Sequence, residues 1–481
     1  MKKRINRIFL MFATVILALA MSVFSVACDI NVNFNSGTTD DNTVTAPDDT
    51  GNPGNTETPG NTENPGNTEN PGNTETPGGK EDPENPGEED PDDPDPDNPD
   101  PDNPDPDNPD PDDPGYNGEL VAGSKEEIGG AKVSIHFLEL GSGNCGDSIL
   151  IKCGDTEVLI DAGAVQSSAS TIKSYINQYC TDGKLEYVIT THADTDHIAA
   201  FIGTSSSGKY NGILYSYEIG TIIKFDLTGS SSAMYNNYLK AVEYAQNNGT
   251  QVFTASQCYD EKDGAQRQYY LDEEKTVSIN ILYNYYYYNK ASDENNHSVV
   301  TLLTEEYEGG RNNYLFTGDL ETDGESRMVD YYKSVPADYA TEYNVLPEVE
   351  LYKAGHHGSG TSSTEKLLEV IKPKSVAVCC SAGSPQYTKT NVNMFPTQAM
   401  IDNIAKYTDK IYVTTLCTSV NEKDENGNYK TQNRSEYASM NGDIVFYSTG
   451  NNLKLYCSNN NTILKETDWF KENRTWPANG V

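Results

Sequence analysis

Hydrophobic and polar positions divide this chain into three stretches of unlike texture. Residues 8–27 are almost wholly apolar, residues 28–118 contain few apolar side chains, and from Glu119 onward short apolar runs alternate with stretches in which apolar residues recur every three or four positions. The third texture predicts an α/β domain. Runs at 133–138, 148–152, 158–160 and 187–190 read as strands, as do 277–283, 299–303, 314–317, 350–353 and 376–379 and the closing segments 410–414, 443–447 and 453–456. Between them Ile172, Tyr175, Ile176 and Tyr179 share one helical face. Tyr235, Tyr238, Leu239 and Val242 share another, ahead of Gly249, a good C-terminal stop. Residues 321–332, 365–371 and 397–407 are the remaining predicted helices. The tyrosines at 283 and 285–288 read as half-buried strand, which weakens their alternative use as a stacking platform for bases or sugars.

The first two textures carry their own meaning. Lys2, Lys3, Arg4 and Arg7 precede the apolar run, which ends in Ala27-Cys28, so residues 1–27 read as a secretion signal. Small Ala27 before Cys28 resembles a bacterial lipobox, implying a lipidated Cys28 and a protein held on the outer side of the cytoplasmic membrane. Residues 28–118 read as a disordered tether. Between Cys28 and Asn117 lie 18 of the 24 prolines and 26 of the 73 acidic residues, with Lys80 the single base. Such a segment cannot bury a core. Extended as polyproline II at about 3.1 Å per residue, it would reach roughly 250 Å.

Charge narrows the partners. The whole chain has a net charge of -39. Removing the tether and the N-terminal bases leaves 47 acids against 29 bases on residues 119–481, a net of -18. That sign argues against sequence-independent duplex binding, in which Lys and Arg neutralise phosphates. Apart from Cys28, the eight cysteines at 145, 153, 180, 258, 379, 380, 417 and 457 show no CxxC spacing, so zinc-thiolate sites are not expected. Small buried hydrophobes are.

Histidine is scarce, six in 481 residues, and its placement is informative. His192, Asp194, Asp196 and His197 lie within six residues, directly after the strand at 187–190. Imidazoles and carboxylates so concentrated can converge on divalent cations. Asp319 in Leu315-Phe-Thr-Gly-Asp319, and the pair His356-His357 in Ala354-Gly-His-His-Gly358, each follow another apolar strand. Strand ends on one sheet edge are where α/β proteins collect a site.

This set resembles the metallo-β-lactamase fold superfamily of hydrolases, from about residue 133 to 456. Asp161 in Leu159-Ile-Asp-Ala-Gly163 is similar to the first motif of that family, and residues 192–197 to its HxHxDH motif with Asp194 in the second His position. Asp319 matches the bridging aspartate and His356 or His357 the final His. The combination resembles the secreted hydrolase domain of ComEC-type competence proteins and the teichoic acid phosphorylcholine esterases, as does His136-Phe-Leu-Glu-Leu-Gly141 with Gly146-Asp-Ser-Ile-Leu150. Ala199-Ala200 stands where the family usually has Gly-Gly, which would stiffen or reshape that turn. Asn393-Met-Phe-Pro396 stands where ComEC-type proteins have His-Pro. The third-motif position falls on His297 or on Asn296.

The resemblance implies an αββα sandwich over 119–481 and two divalent ions, zinc or else manganese, held by N/O ligands. His192, Asp194 and His297 would serve one ion, Asp196, His197 and one of His356 and His357 the other, with Asp319 bridging and Asp161 orienting a ligand. The other member of the His356-His357 pair would act as general acid. Two such ions lower the pKa of water from about 15.7 toward ~7. The expected function is a cell-surface metal-dependent hydrolase of phosphodiesters, in nucleic acid or an envelope polymer, with Lys353 available to hold phosphate. Lactone, lactam or thioester hydrolysis is the alternative chemistry, and a non-catalytic surface binding protein the alternative class.

Overall fold

The computed structural model describes residues 120–336, 344–448 and 452–481. The expected signal peptide (1–27), Cys28 and the tether (28–118) lie outside the described residues. Two mixed sheets pack face to face with helices on their outer sides, the predicted αββα sandwich. The first sheet runs Val121–Ala122, Leu453–Cys457, Ile444–Ser448, Val133–Phe137, Ile149–Cys153, Thr156–Ile160, Lys184–Thr190, Glu218–Lys224, Gln251–Thr254. The second runs Gln268–Tyr270, Val277–Ile281, Thr301–Tyr307, Gly310–Phe316, Leu351–Lys353, Val376–Ala382, Ile411–Cys417, Tyr437–Ser439.

Each sheet has an antiparallel part and a parallel part. In the first, Thr156–Ile160 and the strands beyond it pair in parallel, and the helices Ser168–Ile176, Thr195–Ile202 and Ala233–Asn247 lie between them in the chain. In the second, Gly310–Phe316 through Ile411–Cys417 are parallel, with Thr322–Ser334, Glu365–Ile371 and Gln398–Ile404 as crossovers. Parallel neighbours require such crossovers. Alternation along these strands sorts the side chains. Leu303, Tyr314, Phe316, Ala377 and Cys379 join the core between the sheets, where Phe316 meets Phe137 at 6.3 Å between ring centres. Their neighbours Leu302, Leu315, Val376 and Val378 face Met328, Leu367, Leu368 and Ile401 of the outer helices. Each buried Val, Leu, Ile, Phe or Met among them stabilises the fold by roughly 1.5–3 kcal/mol.

Local departures from the sequence reading have physical causes. Leu239 is 37% exposed, and Ala241 and Ala245 fill the buried helical face beside Tyr238 and Val242. The helix begun at Ser168 stops at Ile176, so Tyr179 lies beyond it. The tyrosine run is a 3-10 turn, Tyr285–Tyr287, and adjacent Tyr286 and Tyr287 are both buried, which strand alternation would forbid. Ala199 and Ala200 reshape no turn; both are buried within the helix Thr195–Ile202, where the Ala200 N–H bonds to the Ala162 carbonyl at 2.7 Å. Seven of the eight described cysteines are buried and Cys417 is half-buried; all are free thiols.

Glu325 is a buried carboxylate on the helix Thr322–Ser334 that accepts bonds from the Ser363 and Thr364 amides and the Thr364 hydroxyl. Burial pushes it from 4.5 up to about 7, although those bonds oppose the shift. Between pH 4.5 and 7 the folded state therefore keeps a proton that the unfolded chain has lost. Stability falls as pH rises through that window, by about 3 kcal/mol from this group. Urea unfolding at pH 5 and pH 7.5 is expected to show Glu325→Gln lacking that part of the decline; identical slopes in the two proteins would refute it.

Candidate metal centre

The strand ends bring most of the expected residues together. Lys184–Thr190 leads into Thr191 and His192, and Asp194 stands at the N-cap of the helix Thr195–Ile202, which carries Asp196 and His197. Gly310–Phe316 leads to Asp319 and Leu351–Lys353 to His357. The turn before Asp319 needs glycine: Gly318 has φ +55, and a Cβ there would sit 2.9 Å from the Ser298 hydroxyl and from Thr191 Cβ. Asp161, His356 and His357 take left-handed φ values of 58, 46 and 53 without being glycine. Such strain persists where surrounding contacts over-determine it.

Asp319 is the hub. Its Oδ2 lies 3.0 Å from His197 Nε2 and 3.2 Å from His357 Nε2, and Oδ1 lies 3.2 Å from Lys353 Nζ. His357 Nε2 is also 3.4 Å from Asp196 Oδ2. His192 packs against His197, with ring centres 4.1 Å apart, and its Nε2 is 3.7 Å from Asp194 Oδ2. Asp194 remains the open side, its side chain 46% exposed. Burial and the Asp196 carboxylate push Asp194 up to about 6.

The outer partners orient the rings. Asp161 Oδ2 accepts from His197 Nδ1 at 2.7 Å, and its two oxygens also take the Thr191 amide at 2.8 Å and hydroxyl at 2.6 Å. The Cys379 carbonyl accepts from His357 Nδ1 at 2.9 Å, which turns Nε2 inward. Carbonyl or carboxylate bonds of this kind fix metal-binding imidazoles. Burial opposes protonation of His197 and His357, yet Asp319 with Asp161 for the first, and with Asp147 for the second, outweighs it and lifts both well above the ordinary range. The same imidazoles hold Asp319 well below the usual carboxylate range against the effect of its burial.

Two residues were missed as members of this cluster by reading the sequence. Asp147 is 1% exposed; it pairs with Lys353 and lies 3.1 Å from His357 Nδ1. Its signal was an acid set in the apolar stretch that opens the strand Ile149–Cys153, a place where an unpaired carboxylate is costly. Lys353 is not an open phosphate holder. It is fully buried, paired with Asp147 and Asp319 and bonded to the Gly318 carbonyl at 2.9 Å.

The third-motif expectation needs correction. His297 Nδ1 donates to the Tyr286 carbonyl at 3.1 Å and its Nε2 takes the Ala291 amide at 3.4 Å, so the 3-10 turn Glu294–His297 directs the ring to the tyrosine turn and both nitrogens are engaged. Asn296 is no substitute, because its Oδ1 accepts from the Glu321 and Gly324 amides at the start of the next helix. Ser298 is the residue of this turn that meets the cluster, taking the Asp319 amide at 3.1 Å and lying 3.4 Å from His192 Nδ1. His356 is separated from His357: its Nδ1 faces Glu321 at 3.2 Å and Thr361 at 3.3 Å.

The donor set fits divalent metal. Asp147, His197, Asp319 and His357, all buried, each bring a ligand atom within 4.8 Å of the others. His192 Nε2 is buried without a hydrogen-bond partner, a costly state that a cation would relieve, and His357 Nε2 lies between the carboxylates of Asp319 and Asp196. Imidazole and carboxylate without thiolate suits zinc or manganese chemistry.

No family model matches the chain. ComE operon protein 3 of Bacillus subtilis is 27% identical over 129 residues, which span 26% of this chain and 13% of that protein. Among solved structures, the chain is similar to the metallo-beta-lactamase fold protein YhfI from Bacillus subtilis, at 10% identity and TM-score 0.32, covering 58% of this chain and 95% of that one. It is also similar to CmlA, a diiron beta-hydroxylase from Streptomyces venezuelae (9% identity, TM-score 0.28, 52% of this chain and 45% of that one). A third is a metallo-beta-lactamase from Cronobacter sakazakii (13% identity, TM-score 0.25, 44% of this chain and 72% of that one).

Proposed function

We propose that the domain is a metal-dependent hydrolase acting on phosphodiesters. The observation that carries this reading is the convergence of buried His197, His357, Asp319 and Asp147, with the unpartnered Nε2 of His192 beside them. Bound divalent cations would supply Lewis acidity toward water and toward an ester oxygen. Asp319, Asp196, His197, His357, His192 and Asp194 are the residues that would hold them. Asp161 and the Cys379 carbonyl keep His197 and His357 oriented, and Lys353 holds Asp319 and Asp147 in register from behind. His356, its side chain 20% exposed, stands at the rim and faces Glu321 rather than the carboxylates of the cluster.

Charge and packing favour a neutral or zwitterionic diester over a polyanion. The folded part carries a net of -18, and Lys353 is committed inside. Tyr387 offers a half-exposed ring beside Asp196, with buried Phe395 packed behind it against His356 and His357. Aromatic faces beside carboxylates attract quaternary ammonium groups. The test is elemental analysis of the fragment from Glu119, expected to hold close to two transition-metal ions, followed by kcat/KM on a phosphocholine diester, single-stranded DNA and a lactam. The diester is expected to match or exceed DNA at low salt. DNA faster by more than about tenfold, ~1.4 kcal/mol, points to a nuclease, and lactam turnover alone rejects the phosphodiester reading.

The proposal extends to place on the sequence signals alone: lipidation at Cys28 and exposure outside the cytoplasmic membrane on the 28–118 tether. Cys28→Ser is expected to abolish lipid labelling, and labelling at the wild-type level would reject the anchor.

A further inference from the structure

We infer that Tyr387 is the substrate-contacting hydrogen-bond donor of this centre, its hydroxyl meeting the leaving-group oxygen of a bound ester; this rests on the hydrolase reading above. Tyr387 is 48% exposed, yet its hydroxyl reaches inward and donates to Asp196 Oδ2. Asp196 Oδ2 is the oxygen that lies 3.4 Å from His357 Nε2, so one hydrogen bond separates the phenol from the cluster.

The hydroxyl is aimed rather than free. Gln386 Nε2 donates to it at 2.7 Å, and Gln386 Oε1 accepts the Cys145 amide at 2.7 Å, two residues from Asp147. The ring leans on Phe395 at 5.5 Å between centres, and Phe395 in turn touches His356 at 5.5 Å. The phenol is half-exposed while its hydroxyl touches a carboxylate of the cluster, so it joins the solvent side to Asp196.

The rival donor is turned away. The polar contacts of His356 are with Glu321, Thr361 and Asn295, none of them a carboxylate of the cluster. The single proton of the phenol points to Asp196 Oδ2 here, and turning that O–H from Asp196 to a leaving oxygen that gains charge as its bond to phosphorus breaks would stabilise the charge. A water oxygen forms the new bond to phosphorus and gives up a proton to solvent; the bond from phosphorus to the leaving oxygen breaks with its electron pair on that oxygen, which takes a proton from water, and the Tyr387 proton stays on the phenol.

The test uses metal-loaded full-length protein and aryl phosphodiesters whose leaving phenols run from nitrophenol to unsubstituted phenol. Tyr387→Phe is expected to keep its metal content and melting temperature and to bind inorganic phosphate within about twofold of wild type by calorimetry. Its kcat is expected to fall about 100-fold on the phenol ester, far less on the nitrophenol ester, with KM little changed. Gln386→Met, which frees the hydroxyl and leaves the ring in place, is expected to give a weaker form of the same leaving-group dependence. An equal loss across the series, or loss of metal, makes Tyr387 a brace for Asp196 and overturns the inference, as does an unchanged variant. If wild type hydrolyses none of the esters, the phosphodiester reading fails and this inference with it; if wild type does and Tyr387→Phe equals it, the inference alone fails.

Discussion

Asp319→Asn is expected to strip the centre of metal and to lower hydrolysis by at least about 1000-fold, near 4 kcal/mol of transition-state stabilisation. The expectation follows from one side chain standing between three cationic or ligating groups: Oδ2 near His197 and His357, Oδ1 near Lys353. The amide keeps the shape and removes the charge, so misfolding is less of a concern than with alanine. Elemental analysis and kcat/KM on the best diester are the measurements. His192→Ala, which removes a ring at one side of the cluster, is expected to lower metal content less than Asp319→Asn does. Retention of metal together with a tenth of wild-type activity in Asp319→Asn would refute the hub role.

Lys353→Met is expected to destabilise the metal-free domain by about 3–5 kcal/mol, because it leaves Asp147 and Asp319 buried without their cation. Burial disfavours the charged lysine, but the carboxylates of Asp147 and Asp319 outweigh it and hold its pKa far above the ordinary value. Denaturant unfolding in chelator gives the figure free of stabilisation by bound metal. The double variant Lys353→Met with Asp147→Asn is expected to recover part of the loss, since the two sites interact directly. A cost below about 1 kcal/mol would show that water or protonation already neutralises the pair.

Much of the fold was legible because strand and helix periods are local properties. The strands Val133–Phe137 and Val376–Ala382 and the helix Glu365–Ile371 carry their own patterns. Glu218–Lys224 was passed over because Gly220 interrupts its apolar run, and Gln251–Thr254 because it is short and at a sheet edge. The tyrosine run misled because ring composition says β while Asn284 caps a 3-10 turn through its side chain.

By itself the sequence determined the α/β alternation and the cluster from His192 to His197, since a strand followed by four ligand-type side chains within six residues places them together whatever the rest of the chain does; the sandwich was what the family resemblance implied. Asp319 was legible for the same reason, a carboxylate one turn beyond an apolar strand. Only the tertiary structure decided between His356 and His357, removed His297 and Asn296, and added Asp147 and Lys353. Those choices depend on which way a ring or chain points across contacts between residues far apart in sequence. Neighbouring positions such as His356 and His357 share composition and spacing, and differ only in that Cys379 and Asp319 lie on one side of the turn and Glu321 on the other.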